Sequence, residues 1–212
     1  MASQTLTAYE SGHIRNIDSD WDTTKDASSG DALGVSDSLL FTEGWTNGPT
    51  SWIIARAFLT FQIPAIPTNN IITSAALSFT TLLYGDDAYM IKGTRGDPEN
   101  DLTLADFDAV DFNVIYSDDI DAYPNPTFTL NSTGLDYLNS KHGSYAELVL
   151  VNNKDFTDTE PSGTGNRAYW KGADDETYYP RLAITYQVIT GVGTTHIGKG
   201  TSHVSSNAKI IV

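Results

Sequence analysis

The nine residues DSDWDTTKD, Asp18 to Asp26, place four carboxylates within half a dozen positions of one tryptophan. Calcium is a hard cation that takes roughly 6–8 oxygen ligands, and alternating aspartates in a loop can supply them. Asp18, Asp20, Asp22 and Asp26 are therefore the metal-site candidates, with calcium the cofactor they would take. The glycine that an EF-hand loop needs at its sixth position is Thr23, and no helix-loop-helix pattern flanks the run. A solvated acidic loop is the alternative reading.

Tryptophan suggests a second chemistry. Aromatic rings stack on the apolar faces of sugars, while amides and carboxylates take the hydroxyls. Trp21 and Trp45 stand in loop-like sequence beside Asp22 and Asn47, which makes them the candidate carbohydrate contacts. A partner contact and simple loop packing compete with that role. Trp52 and Trp170 fall within strand patterns and are expected in the core.

Catalysis finds little support. Cysteine is absent, which removes thiol nucleophiles, disulfides and thiolate metal sites. There is no Gly-x-Ser-x-Gly, no His-Glu-x-x-His and no phosphate loop. Two of the four histidines, His196 and His203, lie in a Gly-rich tail. We expect no enzyme.

Twelve Lys and Arg stand against 27 Asp and Glu, a net charge of −15. A nucleic-acid partner needs a basic face to displace counterions, so DNA and RNA are not expected. An anionic membrane would be repelled, and no apolar run approaches the ~18 residues of a span. The opening MASQTLTAYESGHIRN lacks a basic stretch followed by an apolar one. It does not read as a secretory signal, and we expect a complete reading frame made in a cytosol.

The elements that must position these residues are strands. Period-two patterns separated by Gly, Pro, Asn and Asp clusters predict strands at Thr5–Tyr9, His13–Asn16, Leu39–Phe41, Trp52–Gln62, Ser74–Leu83, Tyr89–Gly93, Phe112–Ile115, Thr127–Leu130, Ala146–Val151, Arg167–Lys171 and Arg181–Thr190. In Arg56–Phe61, Ala57, Leu59 and Phe61 share one face and Arg56, Phe58 and Thr60 the other. Both faces are bulky, as in an inner strand covered on both sides. Pro64 and Pro67 then force a turn. One helix is expected in Ser132–Gly143, capped by Ser132 or Thr133 and ended by Gly143, and a short second one in Thr103–Phe107. The fold class is all-β: a sandwich with one or two short helices.

Three stretches carry a family resemblance: RAFLTFQIPAIP followed by IITSAALSF (Arg56 to Phe79), PTFTLNSTGLDYLNS (Pro126 to Ser140) and YYPRLAITYQ (Tyr178 to Gln187). In this order they resemble the DNRLRE family of jelly-roll β-sandwich domains, related to some carbohydrate-binding modules. The likeness spans about Asp18 to Gln187. Gln62 replaces the family's usual aspartate after Phe, and its Trp-rich segment is not evident between Asp97 and Tyr116. The resemblance implies a jelly roll. Such domains occur in secreted enzymes, surface adhesins and bacteriophage particles, so it does not choose among those settings.

We expect one domain, residues 1–187, followed by a flexible Gly/Ser/Thr-rich arm, residues 188–212. The arm ends in AKIIV and could add an edge strand to a neighbouring subunit. Ile197, His203, Ile210, Ile211 and Val212 are its candidate assembly contacts. The expected function is that of a structural protein, most readily a bacteriophage virion component such as a head decoration, fibre or tail-associated subunit. Its partners would be further copies or other virion proteins, and glycans could be bound as well. The alternative is a secreted or cell-surface carbohydrate-binding module or adhesin recognising a polysaccharide.

Overall fold

The computed structural model describes residues 1–35, 39–48, 50–67, 70–118, 126–173, 177 and 179–188. Among them the chain runs through β1 (Ala2–Thr7), β2 (Glu10–Asp18), α1 (Trp21–Lys25), β3 (Ala32–Val35), β4 (Leu39–Thr46), β5 (Trp52–Gln62), β6 (Asn70–Ser78), β7 (Thr81–Tyr84) and β8 (Ala88–Gly93). A 3-10 helix (Leu104–Asp108) follows, then β9 (Val110–Ile115), β10 (Thr127–Thr129), α2 (Ser132–Asn139), β11 (Tyr145–Asn152), α3 (Asn153–Phe156), β12 (Arg167–Lys171) and β13 (Arg181–Val188).

The strands form two antiparallel sheets, so the fold is the expected all-β sandwich. One sheet has the order β1-β13-β6-β10. The other has the order β7-β12-β4-β5-β11-β8-β9, with β2 and β3 branching from β5. In the first sheet the first strand pairs with the last, Leu6 opposite Leu182.

β5 is the spine. β2 pairs with it from Trp52 to Thr60. On its other edge β4 takes Trp52–Ala55 and β11 takes Ala57–Gln62. Its side chains alternate between two cores, as the sequence predicts. Ala57, Leu59 and Phe61 join Leu77, Phe128, Leu148, Trp170 and Leu182 between the sheets. Ile54 and Phe58 join Ile14, Trp21, Phe107 and Val149 on the outer face. Short helices cover that outer face: α1 packs on β2 and β5, and the 3-10 helix packs on β2.

Three expectations need correction. The predicted strand Ser74–Leu83 is two strands in different sheets. The chain changes sheet at Phe79, whose buried ring meets Phe128 and Trp170 at centroid distances of 6.1 and 5.5 Å. Past the crossing the apolar residues no longer enter the core: Leu82 and Leu83 of β7 are both exposed. The cap of α2 is Asn131, one residue before the predicted Ser132. Its side chain accepts from the Gly134 N–H at 3.1 Å. The helix stops at Asn139, and Gly143, with φ +74, serves the turn into β11 instead. The predicted second helix is the 3-10 turn, where the Asp106 carboxylate accepts from both the backbone N–H and the hydroxyl of Thr103.

Candidate functional site

The acidic run is a helix start. Asp20 caps α1, its carboxylate accepting from the Thr23 N–H at 2.8 Å and the Thr23 hydroxyl at 2.9 Å. Those hydrogen bonds hold the Asp20 carboxyl below the usual carboxylate range. Asp18 accepts from the Ser19 N–H, Asp22 sits in the first turn of α1, and Asp26 is its C-cap, 3.5 Å from Lys25. Among the described residues no three acidic or histidine side chains come together in a set that could hold a metal ion.

The tryptophans are placed differently from expectation. Trp21 opens α1 and is 6% exposed, packed into the outer core, so its faces are not offered to a sugar. Trp45 lies within β4 and is half-buried, with the Arg167 guanidinium 5.2 Å from its ring centre. Trp170 is fully buried and Trp52 packs against the outer core, as strand positions imply. Ile197, His203, Ile210, Ile211 and Val212 lie outside the described residues, as does Tyr178.

Two buried charge clusters had no sequence signal. Arg56 on β5 forms a bidentate pair with Asp155 of α3, Nε to Oδ2 at 2.8 Å and Nη2 to Oδ1 at 2.9 Å. It also donates to the carbonyls of Phe107 and Lys25, both at 2.9 Å. Its guanidinium lies 4.2 Å from the Phe107 ring centre and 5.0 Å from that of Phe112. One side chain thus ties β5 to α3, the 3-10 helix and α1. With side-chain exposures of 1% and 0% the pair is shielded from solvent.

The second cluster gathers Glu147, Glu10 and Asp106 around Arg95, at 3.2, 3.8 and 3.9 Å. Burial pushes the Glu147 carboxyl up to about 7, against the pull of Arg95. Gly93 leaves it room: a Cβ there would stand 2.1 Å from Glu147 Oε1. Arg95 and the chain after it thereby clamp the outer face, where the Thr60 hydroxyl also donates to the Pro98 carbonyl at 3.1 Å.

One open groove lies at the edge of the sandwich. It has a volume of about 530 Å³ and runs beside β1, lined by Gln4, Leu6, Tyr9, Gln62, Ile63 and Gly143 among others. Consecutive β1 residues Gln4, Thr5, Leu6 and Thr7 line it and, among the described residues, none of β13 does, so it lies along the edge of β1 away from its ladder partner. Leu6 and Ile63 are buried and apolar, whereas Gln4 and Gln62 are exposed amides. Tyr9 is 56% exposed, and its ring meets that of Tyr145 at 4.9 Å. The groove offers two kinds of recognition: the backbone of a sheet edge, and an aromatic ring flanked by amides.

No protein-family model matches the chain, and no curated protein matches it either.

Proposed function

We propose that this chain is a non-enzymatic structural subunit of a larger assembly, a bacteriophage particle being the setting its sequence fits, and that copies associate through the arm, residues 188–212. The carrying observation is the outer edge of β1, which among the described residues has no strand partner besides β13 and lies beside an open groove. The sheet that owns this edge also sends out the arm, because β13 lies beside β1 and ends at Val188. Unpaired strand edges are what added strands recognise. Four well-shielded charged side chains, Arg56, Asp155, Arg95 and Glu147, hold the covering layer in place. This supports a scaffold role over a catalytic one.

The test is the solution mass of the full chain beside a chain ending at Val188, by light scattering after size exclusion. The expected result is a defined oligomer for the full chain and a folded monomer for the shortened one. Two monomers, or two equal oligomers, overturn the reading.

One observation favours a second reading. Exposed Tyr9, with Gln4 and Gln62 nearby, offers a platform for a polysaccharide where the buried Trp21 does not. Retardation by a soluble polysaccharide in affinity electrophoresis, lost in Tyr9→Ala, would support it.

A further inference from the structure

We propose that the groove beside β1 receives the segment Ala208–Val212 from a second copy of the chain, laid down as an added strand. This rests on the assembly reading above and names its receiving site.

The lengths agree. β1 has six residues, about 20 Å of strand, and AKIIV in extended form covers about 17 Å. The chemistry agrees as well. In an extended segment Ala208, Ile210 and Val212 share one face. That face falls on the side of Leu6, which keeps 8% of its surface exposed, and Lys209 and Ile211 face the other way. The exposed amides of Gln4 and Gln62 flank the groove.

Charge favours the encounter. Residues 189–212 contain Lys199 and Lys209 and no Asp or Glu, on a chain of net charge −15. The arm is the basic part of an acidic molecule, so it is drawn to the body of another copy.

The spacer favours exchange between copies. A return to the molecule's own β1 would have to cross only two strand spacings, about 10 Å. A short turn of a few residues covers that distance. Residues 189–207 form a Gly/Ser/Thr-rich spacer, whose mean reach as a flexible chain is about 24 Å. That suits a span between molecules.

The absence of cysteine makes the test clean. Full-length Thr5→Cys, with a size tag, is mixed with full-length untagged Ile211→Cys, which shares the face of Thr5, under mild oxidation. Thr5 is exposed on β1, so its substitution leaves the core alone. Leu82→Cys, exposed on β7, replaces Thr5→Cys as the control. The expected result is a mixed disulfide dimer from Thr5→Cys at least tenfold more abundant than from Leu82→Cys. Equal yields, or none, while light scattering still shows an arm-dependent oligomer, overturn the groove assignment and leave the assembly reading standing. Absence of any arm-dependent oligomer defeats both. An intramolecular disulfide in the Thr5→Cys/Ile211→Cys double variant, with no mixed dimer, means that the arm closes on its own chain. Loss of the mixed dimer on adding a polysaccharide whose binding needs Tyr9 hands the groove to a glycan.

Discussion

Glu147 is the residue whose protonation the fold controls most directly. Its neighbours are Arg95, Glu10 and Asp106, and burial raises its carboxyl from 4.5 to about 7. Between those values the folded chain holds a proton that the unfolded chain has released. Stability from this group is complete below about 4.5 and is lost as pH rises through about 7. The shift corresponds to an effect on the order of 3 kcal/mol. Glu147→Gln should flatten the melting temperature across that window relative to the unmodified chain, and an unchanged slope would mean a solvated carboxylate. The Arg56–Asp155 pair gives a sharper expectation. Asp155→Ala strands a buried guanidinium, and urea titration should show a loss of about 3–5 kcal/mol. Neither cluster was legible in the sequence. Arg56 and Asp155 are 99 positions apart, and a contact of that span leaves no period or spacing to read. The acidic run misled for the converse reason. Four nearby aspartates look like ligands, but a helix start turns their side chains to separate tasks.

Elements were far easier to read. Trp52–Gln62 and Arg167–Lys171 fall where the alternation places them, because each strand must sort its side chains between two surroundings. Phe61 is fully buried on β5 at the centre of the main core. Phe61→Ala should therefore cost about 3–5 kcal/mol in denaturant titration. A near-neutral result would contradict its place between the sheets. The missed elements are short. α1 and α3 have five and four residues, too few for a helical period, and each is held by a cap and by what lies beneath it. β3 is four residues long and rests on β2 alone among the described residues. The groove was hidden for another reason. Gln4 and Tyr9 are ordinary in sequence, and only the crossing from β1 to β2 brings them near Gln62 and Gly143.

At the scale of the whole molecule, β13 decides whether the first sheet exists. It alone among the described strands joins β1 to β6. A chain ending at Pro180 should lose the cooperative melting that a chain ending at Val188 retains, as circular dichroism would show. Equal melts would mean that β1 has another support. The pairing of Leu6 with Leu182 also sets an order of events during synthesis. A nascent chain emerges from its N-terminus, so β1 leaves the ribosome long before its partner exists. Such distant pairings form late and slowly. Until β13 arrives, β1 is a loose leader with no fixed edge to offer. A prematurely terminated polypeptide would have neither a docking edge nor an arm. On the proposed docking, incomplete translation products would thus be left out of the assembly without any separate inspection step.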